Sequence, residues 1–66
     1  MIRIALDQTL EKYGITRYEL AKRTGIQYQI IDHYYKNKVK RYDSSLLERM
    51  CDAIGCEISE IIEYKR

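Results

Sequence analysis

Sixty-six residues without Pro, Trp or Phe, with seven Tyr and a third of the positions charged, leave room for one small core and no linker. That core must draw on nearly every Ile and Leu available. No apolar run approaches the ~20 residues of a membrane span, and the opening MIRIALD lacks the long apolar region and small-residue cleavage site of a secretory leader. The expectation is a soluble cytoplasmic domain.

Chemistry is scarce. One His, no Ser/His/Asp set and no phosphate-cradling glycine loop argue against an enzyme, a cofactor or a small-molecule substrate. Cys51 and Cys56 stand five apart and fit no zinc spacing, so reduced, partly buried thiols are expected and neither metal nor disulfide is. The formal net charge is only +2, but it is unevenly spread. Residues 1 to 42 hold nine Lys/Arg against four Asp/Glu, and residues 43 to 66 hold three against six. A molecule with that polarity turns its first half toward a polyanion.

In chain order, Ile2 and Ile4 alternate with Arg3, a strand-like period of two that also fits the ragged start of a helix. The only other strand-like segment is Ile61 to Lys65, and the two would pair within one chain or across a dimer. Leu6, Leu10 and Tyr13 then recur at helical spacing, with Asp7 as a cap, Gly14 as terminator and a core role for the inner face.

Ile15 is placed to act as a hydrophobic staple before Thr16, and Thr16 with Glu19 spells a capping box. The helix they start carries Leu20 and Ala21 on its apolar side and stops at Thr24-Gly25. A further helix runs from about Gln27, with Ile31 and Tyr34 on one face, Ile30 beside them and Asn37 as a left-handed cap. Its other face is Gln27, Tyr28, Gln29, Asp32, His33 and Lys36. Solvated helix faces usually carry Glu and Lys four apart; amide, phenol and imidazole tips suit base edges instead. The loop that follows, Lys36 to Tyr42, is basic and suits phosphates.

Asp43 or Ser44 then caps a helix whose Leu47, Met50, Cys51 and Ile54 face inward and which Gly55 ends. A last helix is expected from Ser59 through Tyr64, with Ile58, Ile61 and Ile62 apolar; so short a helix must dock to persist. Tyr13 and Tyr34 are expected in the core. Tyr18, Tyr28, Tyr35 and Tyr42 are placed toward phosphates, and Tyr64 at a dimer seam.

The order Leu20-Ala21, Gly25-Ile26, Ile31, Tyr34 resembles the helix-turn-helix of the phage-repressor family, Cro/cI-like or XRE. The resemblance covers nearly the whole chain, since Ser44 to Ile62 is similar to the family's last two helices. It departs at Asn37, where the family often has Gly, and at Gln27, where it often has Ser or Thr. What it implies is an all-α, compact five-helix lambda-repressor-like domain over residues 1–66, with the helix-turn-helix at about 16–36 and short extended termini as an option.

The resemblance also implies a sequence-specific double-stranded DNA-binding transcriptional regulator, a repressor, with helix 27–36 in the major groove. Base contacts fall to Gln27, Tyr28, Gln29 and His33, and phosphate contacts to Arg17, Lys36, Lys38, Lys40, Arg41 and Tyr42. Asp32 would accept from a cytosine amine or orient a basic neighbour. One such helix reads few base pairs, so a homodimer on a palindromic operator is expected, joined through the C-terminal segment. The alternative is a helix-turn-helix fold kept for protein interaction, as an antitoxin-like or regulatory subunit.

Overall fold

Two of the helix starts, at Thr16 and Asp43, fall where a short side chain can satisfy free N–H groups of a first turn. The computed structural model describes residues 1–66. In order these form β1 (Ile2–Ile4), α1 (Leu6–Tyr13), α2 (Arg17–Thr24), α3 (Tyr28–Tyr35), α4 (Ser44–Ile54), a 3-10 turn at Ile58–Glu60, and β2 (Ile62–Tyr64).

At α2 the Thr16 hydroxyl oxygen accepts the Glu19 N–H at 3.0 Å. The Glu19 carboxylate pairs with Arg23, four residues on, at 3.3 Å. At α4 the Asp43 carboxylate accepts from the N–H groups of Ser45 and Leu46. The turn between α2 and α3 needs a residue at φ 73, and Gly25 supplies it; its N–H donates to the Ala21 carbonyl. Arg49 of α4 donates to the Thr24 carbonyl, so α4 holds the end of α2 in place. A Cβ at position 25 would meet that guanidinium at 3.4 Å.

The inner faces of the four helices converge with β1 and the segment before β2 on Ile4, Leu6, Leu20, Ile31, Met50 and Ile61, all fully buried. Thr9 is the buried polar residue, and its hydroxyl lies between the carbonyls of Ala5 and Glu60. Both cysteines are half-buried free thiols. Burial is the main cause that raises them, Cys56 to about 11. No helix is long and apolar enough to cross a membrane.

Three expectations need correction. The fold is not all-α with five helices: it has four helices and a two-stranded antiparallel sheet that pairs Ile2 with Tyr64, Arg3 with Glu63 and Ile4 with Ile62. The predicted helix Ser59–Tyr64 is a 3-10 turn followed by a strand. A six-residue helix is marginal, whereas β-branched Ile61-Ile62 and Tyr64 suit a pleat that finds its partner 58 residues away in MIRI. The cap before this segment is Glu57, because Glu57 and Glu60 satisfy each other's backbone N–H.

Second, α1 is not capped by Asp7. Ala5 occupies the N-cap position without a side-chain bond, and Asp7 pairs with Arg3 at 3.3 Å. Third, Tyr13 is exposed rather than in the core, since its hydroxyl reaches the Glu60 carboxylate at 3.0 Å. The same carboxylate takes Lys12 at 2.9 Å. Those bonds, Lys12 foremost, hold Glu60 far below the usual carboxylate value, at about 2.

Candidate nucleic-acid interface

Ile26, Ile31 and Tyr34 are buried to 5%, 0% and 2%, and they fix which side of α3 faces out. Period 3.6 then puts Gln27, Gln29 and His33 in solvent, and all three are exposed. Gln27 holds the N-cap position with extended backbone and makes no side-chain cap bond, as its amide reaches less well than a Ser or Thr hydroxyl. The Tyr28 and Gln29 N–H groups accordingly have no acceptor in the protein. They sit at the positive end of the helix dipole, on the side where the Gln27 and Gln29 amides stand.

Tyr28 differs from the other three base-contact candidates. It is half-buried, its ring stacked on that of Tyr18 at 4.8 Å between centroids with 27° between planes. Tyr18 itself is 76% exposed. Thus the first turns of α2 and α3 share a two-ring surface that no local pattern revealed, because the rings lie ten residues apart in different helices.

Arg17 and Lys36 converge on Asp32. The Asp32 carboxylate meets the Arg17 guanidinium at 2.5 Å and the Lys36 ammonium at 3.2 Å. The guanidinium also lies 4.3 Å above the Tyr35 ring. Partial burial pushes the Asp32 carboxyl up, but the bonds from Lys36 and Arg17 outweigh it and leave the group below its ordinary value. Of the two roles expected for Asp32, the structure shows the orienting one. Arg17 and Lys36 would meet a phosphate with part of their charge already offset by this carboxylate.

Lys38, Lys40 and Arg41 are exposed, and none of them makes an ion pair. Their loop is anchored at several points. Asn37 takes φ 60 at its start, Val39 packs on the core, and the Tyr34 hydroxyl accepts the Asp43 N–H at 3.1 Å at its end. Tyr42, expected at a phosphate, is half-buried with its ring 6.4 Å from that of Tyr34, packed on the edge of the core. The loop therefore shows three uncommitted cations to solvent just past the C-terminal end of α3.

Away from this surface, Leu47, Cys51, Cys56 and Ile58 line a shallow groove rimmed by Glu48, Asp52 and Glu57. Its rim is acidic.

Residues 5–66 match the model of the Cro/C1-type helix-turn-helix DNA-binding domain. The chain is 33% identical over 64 residues to YozG, an uncharacterized HTH-type transcriptional regulator of Bacillus subtilis, a match that covers 97% of this chain and 76% of the relative. Its fold is similar to the crystal structure of a proposed DNA-binding protein from Bacteroides fragilis, with a TM-score of 0.84, 17% identity, and coverage of 96% of this chain and 100% of the other.

Proposed function

The chain belongs to the Cro/C1-type helix-turn-helix DNA-binding family, and from that premise we propose that residues 1–66 act as a cytoplasmic, sequence-specific transcriptional repressor that inserts α3 in the major groove. The observation that carries this reading is a juxtaposition. Gln27, Gln29 and His33 stand exposed along α3, and the loop that leaves the helix's C-terminal end carries Lys38, Lys40 and Arg41, which have no carboxylate partner. Side-chain amides bond adenine N6 and N7 together, worth roughly 1–3 kcal/mol of discrimination per good pair. The cations supply affinity for any duplex. Tyr28, braced by Tyr18, offers a ring edge for a thymine methyl or a sugar.

A single α3 reads too few base pairs for useful specificity, so the working unit in this reading is a homodimer on a palindrome with half-sites about one helical turn apart. Support for a seam at the C-terminal segment comes from β2. The pairing alternates, so Ile62 and Tyr64 turn their backbone groups away from β1, to the edge that no other strand pairs. Ile2 and Tyr64 on the same sheet are 52% and 68% exposed. Sedimentation showing a strict monomer at tens of micromolar would count against the seam.

The test is selection of bound duplexes from a random pool, followed by two variants. Gln29→Ala should relax preference at one base position, and Lys38→Ala should weaken all duplexes alike. The reverse pattern would mean that the two surfaces have exchanged roles. A second reading, a protein-interaction module, is favoured by the acid-rimmed groove at Leu47, Cys51, Cys56 and Ile58. It predicts no salt-dependent binding to random duplex.

A further inference from the structure

Asn37 gives β1 what a third strand would give it. In the β1–β2 pair, Met1 and Lys65 exchange both backbone bonds, and by alternation so do Arg3 and Glu63. Ile4 therefore turns its N–H and C=O away from β2. The Asn37 side chain meets both of them: its Oδ1 accepts the Ile4 N–H at 2.7 Å, and its Nδ2 donates to the Ile4 carbonyl at 2.8 Å. One amide thus satisfies both outward backbone groups of Ile4 across 33 residues of sequence.

The position is reached because α3 ends there in a left-handed residue. Asn37 N–H donates to the Tyr34 carbonyl at 3.2 Å and Lys38 N–H to the His33 carbonyl at 2.9 Å, with Asn37 at φ 60. Few residue types meet both demands. Gly tolerates the backbone but has no amide, Asp brings two acceptors where Ile4 needs a donor as well, and Gln sets its amide one methylene further out. The residue that ends α3 and begins the basic loop is therefore tied to the strand pair, while the Tyr34 hydroxyl, accepting the Asp43 N–H, ties the loop's far end back to α3.

We propose that Asn37 is a positioning residue for DNA binding. It touches no nucleic acid; it seats the end of α3 and the loop carrying Lys38, Lys40 and Arg41 on the β1–β2 pair, so that base-reading and phosphate-binding groups meet one duplex together. The proposal rests on the DNA-binding reading above. It predicts a particular pattern of loss. Without the clamp the loop samples other placements, and if the competent one is occupied about a tenth of the time, Kd rises about tenfold on every duplex. The salt slope stays the same, because no phosphate-contacting charge has been removed.

The experiment compares the full chain with Asn37→Gly, which keeps the left-handed backbone, and with Ile54→Val, which loosens the core away from the loop. Amide exchange at Ile4 is followed by NMR. Binding is measured to a wild-type-selected duplex and to a random duplex over a range of salt. Expected for Asn37→Gly are fast exchange at Ile4, about tenfold weaker binding to both duplexes and an unaltered slope; Ile54→Val should bind as wild type below its melting temperature.

Binding by Asn37→Gly within twofold of wild type, a slope reduced by a full unit, or an equal loss in Ile54→Val would overturn the proposal. Should Asn37→Gly fail to fold, the wild type alone decides: Ile4 N–H must stay protected when duplex is bound, and accelerated exchange on binding would overturn the clamp. A wild type that binds no duplex ends the DNA reading itself, whereas wild-type affinity in Asn37→Gly ends only the positioning role.

Discussion

Lys38→Ala and Arg17→Ala remove the same formal charge, yet they should change DNA binding by different amounts. Each cation that neutralises one phosphate contributes about 0.9 to the slope of log Kobs against log salt, so over a fourfold rise in salt one such contact is worth a factor of about 3.5. Lys38 is exposed and has no carboxylate partner, so its removal should flatten the slope by close to that full amount. Arg17 is held 2.5 Å from Asp32 and 4.3 Å above Tyr35. A phosphate must compete with both, and Arg17→Ala should flatten the slope by less than about 0.3.

Asp32→Asn supplies the converse. Removing the carboxylate that Arg17 and Lys36 share should free both and steepen the slope by about one to two units. Fluorescence anisotropy with a labelled random duplex reads all three variants against wild type. A full unit lost in Arg17→Ala, or a slope unmoved by Lys38→Ala, would refute the partition into committed and uncommitted cations.

Other expectations concern stability. Met50 is fully buried, so Met50→Ala should cost about 2–5 kcal/mol, a large share of the roughly 3–10 kcal/mol expected for a chain this size; thermal melts showing a loss under about 1 kcal/mol would contradict its central place. Glu60 has its folded-state carboxyl at about 2 against an ordinary 4.5. Its contribution is therefore complete above the ordinary value and is lost as pH falls toward about 2. Glu60→Gln should melt lower than wild type at neutral pH and show a flatter melting-temperature profile across that window; parallel profiles would contradict the role of the Lys12 and Tyr13 bonds. Gly25→Ala places a Cβ at φ 73 beside Arg49 and should destabilise by about 1–2 kcal/mol, measurable by urea unfolding.

What was legible in the chain is what local physics decides. Thr16 and Asp43 cap where a hydroxyl and a carboxylate can reach free N–H groups, Gly25 turns the chain, and the 3.6 spacing of Ile31 with Tyr34 and of Leu47, Met50 and Ile54 marks the buried faces. The C-terminal strand was not so decided. Ile61-Ile62 reads equally as helix or strand until Ile4 arrives from the other end of the chain.

The interface divides the same way. Which α3 residues are exposed follows from helical period. How much of the basic charge is already spent follows from Asp32, whose pairing with Lys36 four residues on is local but whose contact with Arg17 comes from another helix and leaves no trace in local pattern. The Tyr18–Tyr28 stack and the Asn37–Ile4 clamp are contacts of the same kind, across ten and 33 residues. Tyr13 shows the limit of periodicity alone: it sits at core spacing, yet its hydroxyl is better served by Glu60 in solvent.

The central claim is that one face of this small fold meets DNA, and backbone amide shifts of isotope-labelled protein titrated with a selected duplex test it most directly. The largest changes should map to Gln27 through Gln29, His33 and the Lys38–Arg41 loop, with Cys51 through Glu60 unmoved. Changes centred on the Leu47, Cys51 and Ile58 groove, with α3 silent, would contradict it.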